Sequence, residues 1–176
     1  MCLARRGTVL LVAAALASCG FEPMYAERTG TPPAGHPAQS GVRSDMFGTR
    51  VGTISDRIGQ VLRNQLVDRL NPQGEPAQPV YYLMIRLNEQ RESVLTRSDE
   101  FSTATNLRLL ADYEVRDPQG NVLTTGYSRA VTRYNTLQSQ YATIAAEQNA
   151  RERAARELAE DIRAKLAVFY AHRRGL

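Results

Sequence analysis

Thr103 to Arg116 reads TATNLRLLADYEVR; Asp117-Pro118-Gln119-Gly120-Asn121 follows, and then Val122 to Tyr134, VLTTGYSRAVTRY. In the first stretch Leu107, Leu109, Ala111, Tyr113 and Val115 alternate with Arg108, Asp112, Glu114 and Arg116. That period of two marks a strand with one buried face. The Asp-Pro-Gln-Gly-Asn run places turn-forming residues together. The returning strand sets Leu123, Thr125, Tyr127, Arg129, Val131 and Arg133 on one side and small residues on the other. A hairpin with a single apolar face needs a second layer to cover that face.

The flanking segments supply that layer. Val80 to Val94 begins as a strand, with Tyr81, Leu83, Ile85 and Leu87 alternating with Tyr82, Met84 and Arg86. Polar residues dominate from Asn88 to Ser102, which predicts a hairpin tip there. Upstream, Ile54, Ile58, Val61, Leu62, Leu66 and Leu70 fall on one face of a helix. Ser55 is its expected N-cap, and Asn71-Pro72 stops it. Met46 to Thr53 gives a short, weak strand signal.

Gln138 to His172 predicts a long helix whose buried stripe is Tyr141, Ile144, Ala145, Ala155, Leu158, Ile162, Leu166 and Phe169. At about 1.5 Å per residue it extends roughly 50 Å, longer than a small sheet requires. It therefore either breaks near Gln148 or projects an end toward a partner. The expected fold is α+β: a four-stranded sheet with two helices packed on one face, in the order β-α-β-β-β-α.

The first residues read as an address. Arg5 and Arg6 precede an apolar run from Thr8 to Ala17. A membrane-spanning helix needs roughly twenty apolar residues, so this run is the core of a secretory signal peptide. It ends in Leu16-Ala17-Ser18-Cys19-Gly20, which resembles the bacterial lipobox, where the Cys is lipidated and becomes the new N-terminus. On that reading Cys2 leaves with the signal and Cys19 is consumed as a thioether, so no disulfide forms. Gly20 rather than Asp after the Cys resembles the sorting pattern for the outer membrane. Ala26 to Ser44 is rich in Pro and Gly with almost no large apolar residue, the composition of a tether. The expected organisation is a signal peptide over 1–18, a lipidated N-terminus and tether over 19–44, and a folded domain over 45–176.

Composition narrows the function. The 176 residues carry 22 Lys+Arg against 18 Asp+Glu, and 21 of the basic residues are Arg. They are scattered, so nucleic acid is not an expected partner. The two His, His36 and His172, have no Cys or acidic partner at ligand spacing, and no metal site is expected. Asp99-Glu100 and Asp112/Glu114 are paired carboxylates, but a hairpin and a polar strand face explain them without acid–base work. No catalytic residue and no cofactor beyond the covalent lipid on Cys19 are expected. What remains is a set of surfaces. Arg108, Arg129 and Arg133 on strands and Arg91 and Arg97 around the first hairpin stand out there, because guanidinium pairs bidentately with carboxylate or phosphate.

Cys19-Gly20-Phe21-Glu22-Pro23-Met24-Tyr25, Arg57-Ile58-Gly59-Gln60-Val61-Leu62-Arg63-Asn64-Gln65-Leu66, and Tyr134-Asn135 with Ser139, Tyr141-Ala142 and Ala146-Glu147 stand in order along the chain. Together they resemble the LptE family of lipopolysaccharide-assembly lipoproteins, in its alphaproteobacterial form. The resemblance implies a lipid-anchored plug inside a large outer-membrane β-barrel, LptD. Such a plug assists barrel assembly and the passage of lipopolysaccharide to the outer leaflet. It also implies a basic lipopolysaccharide contact between the second and third strands, where Arg97 is the nearest match. A second such position, at the start of the last helix, has no counterpart, since Tyr141 to Gln148 contains no Lys or Arg. Arg97, Arg91, Arg129 and Arg133 are thus the candidates for lipopolysaccharide contact, and Gln60, Arg63 and Asn64 the candidates for barrel contact. Gly59 has a plainer explanation in close packing. The rival reading is a periplasm-facing outer-membrane lipoprotein that binds another envelope component.

Overall fold

A computed structural model describes residues 37–95, 103–136 and 139–175. Their elements run α1 (Pro37–Phe47), β1 (Thr49–Val51), α2 (Asp56–Leu70), β2 (Tyr81–Leu95), β3 (Thr103–Arg116), β4 (Val122–Thr136) and α3 (Gln140–Arg173). The four strands form one sheet in the order β1-β2-β3-β4. β1 pairs parallel to β2, and β2–β3 and β3–β4 are antiparallel. This is the expected α+β fold, with one helix more than the sequence reading provides.

The register explains the layering. Leu83 pairs with Val115, Ile85 with Tyr113, and Leu87 with Ala111; Leu109 pairs with Ala130 on the other side. These side chains share one face and form the core with Leu62, Leu66 and Leu70 of α2 and Leu158, Ile162 and Leu166 of α3. The inward positions of β4 are small, at Gly126, Ser128 and Ala130, and they meet the buried Ala154, Ala155 and Ala159 of α3. Small residues on both surfaces let the helix lie close to the sheet. A Cβ on Gly126 would stand 2.4 Å from the Tyr113 hydroxyl, so this glycine makes room for the ring.

Three expectations are corrected. α1, Pro37–Phe47, occupies part of the stretch read as tether. Intrinsic propensity does not favour a helix through Gly41 and the neighbouring serines; tertiary contacts hold it. Met46 is buried, Val42 packs on the core, and the Asp45 carboxylate accepts from Arg174 Nε at 2.6 Å and Nη2 at 2.9 Å. Second, Leu123 does not face outward with Tyr127. Val115 pairs with Thr124 but Arg116 with Val122, so Leu123 is the extra residue of a bulge and turns toward the core. Third, Tyr141, Ile144 and Ala145 are exposed, Tyr141 at 87%. The helix is unbroken, and its buried stripe starts only at Ala150.

Gly59 is buried, and a Cβ there would lie 2.7 Å from Ile54 Cγ2. Close packing accounts for it. Near the C-terminal end of α2, where Asn71 Nδ2 donates to the Phe47 carbonyl, Thr49 Oγ1 donates to the Asp45 carbonyl at 2.8 Å and lies 2.7 Å from Tyr170 Oη. With the threonine proton committed to Asp45, Tyr170 is the donor of the second bond. Burial pushes the Tyr170 phenol far above its ordinary value, which keeps that proton in place.

Candidate functional site: the uncovered face of the sheet

All the helical burial falls on one face of the sheet. The other face presents the even-numbered residues of β2 and β3 and the odd-numbered residues of β4. Its cross-strand rows are Met84–Glu114–Thr125, Arg86–Asp112–Tyr127, Asn88–Leu110–Arg129, Gln90–Arg108–Val131 and Glu92–Asn106–Arg133. The chemistry is mixed along every row. Tyr127 is 63% exposed, Val131 50% and Met84 40%, and they are interleaved with guanidiniums and carboxylates. An open hollow of about 660 Å³ crosses this face between Met84, Arg86, Asp112, Glu114, Arg116 and Tyr127.

Some of these charges are already paired. Arg116 donates to Glu114 at 2.6 and 3.0 Å, Arg108 reaches Glu92 at 2.7 Å, and Arg133 Nε donates to Asn106 at 3.1 Å. Arg86, Arg129 and Arg133, the last bonded only to the neutral Asn106 amide, have no ion pair with any described residue. They are the cations this face leaves available.

The edges of the sheet differ. Lys165 Nζ donates to the Tyr127 carbonyl at 2.8 Å and Arg153 Nη2 to the Arg133 carbonyl at 3.2 Å, both on the outer rim of β4. Cations from α3 thus blunt an edge that could otherwise pair with another strand. β1 covers β2 only from Tyr81 to Leu83.

The structure separates the candidate residues. Arg129 and Arg133 lie on the open face. Arg91 lies on the helical side, bonded to Glu89 at 2.8 Å and 2.9 Å from Glu147. Arg151 completes a four-charge ring, at 3.0 Å from Glu89 and 2.8 Å from Glu147. Arg97 lies outside the described residues. Gln60 and Asn64 are exposed on α2, whereas Arg63 is bonded to Glu75 and holds the loop after α2. Gln60, Arg63 and Asn64 therefore sit on the helical layer, away from Arg129 and Arg133. Sequence alternation identifies the open face. Which arginine is already neutralised depends on partners far along the chain, 62 residues away for Arg151 and Glu89 and 129 for Arg174 and Asp45, and no local pattern encodes that.

The charge ring has a measurable consequence. Burial pushes the Glu89 carboxyl up, but the guanidiniums of Arg151 and Arg91 outweigh it and hold it below its ordinary 4.5. A depressed carboxylate stabilises the fold above its unfolded value and loses that contribution as pH falls through the folded one. A double-mutant cycle with Glu89→Gln and Arg151→Gln will give a coupling of about 0.5–1 kcal/mol at neutral pH. Below the 4.5 reference value the coupling will fade toward zero. A coupling that persists unchanged at acid pH contradicts the ion-pair assignment.

Among the described residues no group of three His, Cys, Asp or Glu gathers to hold a metal, and no helix is long and apolar enough to cross a membrane. The domain is thus α+β with one sheet face bare and amphipathic. The model of the LptE lipopolysaccharide-assembly family matches residues 45–166. The chain belongs to that family. No curated protein matches it in sequence. Among solved structures it is similar to a candidate lipoprotein of Caulobacter crescentus CB15, with 30% identity and a TM-score of 0.65 over 76% of this chain and 98% of that one. A minor lipoprotein from Acinetobacter baumannii shares 18% identity at a TM-score of 0.54, over 69% of this chain and 94% of the other. Rare lipoprotein B from Shewanella oneidensis shares 13% at 0.53, over 72% and 98%. The last two likenesses are of fold alone.

Proposed function

We propose that this lipopolysaccharide-assembly family member is a non-catalytic outer-membrane lipoprotein. It is anchored through a lipidated Cys19, seated inside an LptD-like β-barrel, and takes part in moving lipopolysaccharide to the outer leaflet. The observation that carries the reading is the bare amphipathic sheet face on a chain of this family. The lumen of a large outer-membrane barrel is polar, so a plug needs a surface that is neither a sealed apolar core nor a purely charged shell. Tyr127, Val131 and Met84 supply contact area, while Arg86 and Arg129 supply unpaired charge. Lipopolysaccharide bears phosphate or carboxylate groups near its acyl chains, and the planar fork of arginine pairs with either. Arg129 and Arg133 are the described candidates for that contact, and Arg97 is a further one. Arg91 is tied to Glu89 and Glu147 and is assigned to holding α3 on β2.

Reversing Arg129 and Arg133 to aspartate tests the lipopolysaccharide contact. Both side chains are exposed, so the fold will be retained. Charge-assisted hydrogen bonds contribute about 1.5–3 kcal/mol each, so capture of purified lipopolysaccharide will drop by at least about tenfold. Undiminished capture by a folded variant rules out this contact.

A further inference from the structure

The end of the domain that receives the N-terminal segment has its own chemistry. α1 starts at Pro37 and packs beside the C-terminal turns of α3, where the Asp45–Arg174 pair joins them. β1, the start of β2 and the turn between β3 and β4 reach the same end. Of its acidic groups, Asp45 is engaged by Arg174, Glu75 by Arg63, and the Asp117 carboxylate by Asn121 and Gln119 of its own turn, while Asp68 in the last turn of α2 has no ion pair with a described residue. Two of its cations rest on rings instead. Arg43 lies over the Phe47 ring at 5.3 Å and Arg173 over the Tyr81 ring at 5.9 Å. Neither has an acidic partner among the described residues. Val80, just before β2, and Val122, the first residue of β4, are 52% and 50% exposed at the same end of the sheet.

We infer that this end of the domain is a membrane-surface contact, its occupant a bilayer carrying anionic phospholipid headgroups. The inference rests on the proposed lipid at Cys19, from which 18 peptide steps lead to Pro37. The chain that follows Cys19 enters the folded domain at α1, so this is the end joined to the lipid. Electrostatic attraction acts within about 8 Å at physiological salt, and cations at the joined end are the ones placed to use it. Arg43 and Arg173 are placed there with their charges free and their stems against rings. Val80 and Val122 add apolar side chains at the level of the headgroups. The contact fixes the orientation of the domain relative to the membrane.

The test uses the mature chain with Cys19→Ser, so that no acyl chain contributes. It will sediment with vesicles of mixed phosphatidylglycerol and phosphatidylcholine, more weakly as salt is raised, and not with phosphatidylcholine alone. Arg43→Gln with Arg173→Gln will weaken binding about 30-fold, since each basic residue near an anionic surface contributes about 1 kcal/mol. Arg57→Gln with Arg156→Gln, which removes the same charge from exposed positions on α2 and α3, will leave it unchanged. Equal loss in both double variants, or equal binding to neutral vesicles, overturns the inference. Circular dichroism of each variant verifies that the fold is retained. The mass of the Cys19 peptide from wild-type membranes reports separately on lipidation, and co-purification of a barrel reports on the plug.

Discussion

Tyr127→Glu combined with Val131→Glu will strip the protein of the proposed barrel partner, lowering retention by about thirtyfold or more, while the isolated domain stays folded. The two positions lie on the same face of β4 at 63% and 50% exposure, so changing them disturbs no core contact. Surface substitutions of this kind stay within about 0.5 kcal/mol of neutral. In an interface the outcome differs. Aromatic anchors at the centre of a contact each contribute about 2 kcal/mol or more, and a carboxylate placed there adds a desolvation cost. The measurement is the amount of barrel recovered with tagged protein, set against the thermal melt of the purified domain. Full retention with an unchanged melt places the barrel contact elsewhere, and the exposed Gln60 and Asn64 of α2 become the surface to probe.

Leu158→Ala will have the largest effect on stability. Leu158 is fully buried at the middle of the α3 stripe, facing the sheet through the same layer as Ile162 and Leu166. Removing a core leucine costs about 2.7–5 kcal/mol, depending on how far the cavity collapses. Domains of this size hold only about 5–15 kcal/mol in all. The urea midpoint will fall steeply with little change in the slope of the transition. A loss below about 1 kcal/mol means that α3 is not clamped to the sheet at this point. Envelope levels of the variant will drop as well, because the unfolded fraction grows and is cleared.

The legible part of the fold is the part written in strict period. Leu107 to Val115 and Leu83 to Leu87 alternate without exception on the buried side, so the sheet and its helix-bearing face follow from pattern alone. The helix of Asp56–Leu70 was equally plain. α1 was not, because a helix through Gly41 and Ser44 is held by Met46, Val42 and a carboxylate whose partner, Arg174, lies 129 residues away. The bulge at Leu123 escaped for a related reason: alternation reads straight through an extra residue. Tyr141 and Ile144 continue the apolar spacing of α3 beyond the point where the core ends, so periodicity alone overextended the buried stripe.

The candidate site divides in the same way. The open face is implied by alternation once only one face is covered. Whether Arg91 is free or locked between Glu89 and Glu147 depends on how β2 meets α3, and sequence spacing carries no trace of it. Family resemblance named Gln60, Arg63 and Asn64 together, yet Arg63 turns toward Glu75 while its neighbours face solvent. Adjacent positions on one helix need not share a task.

Co-purification from native outer membranes, through a C-terminal tag, tests the plug directly. The account predicts a single large β-barrel protein recovered in near one-to-one ratio after detergent extraction, with mature barrel declining when this chain is depleted. Recovery of the lipoprotein without a barrel, and undiminished mature barrel on depletion, contradicts it.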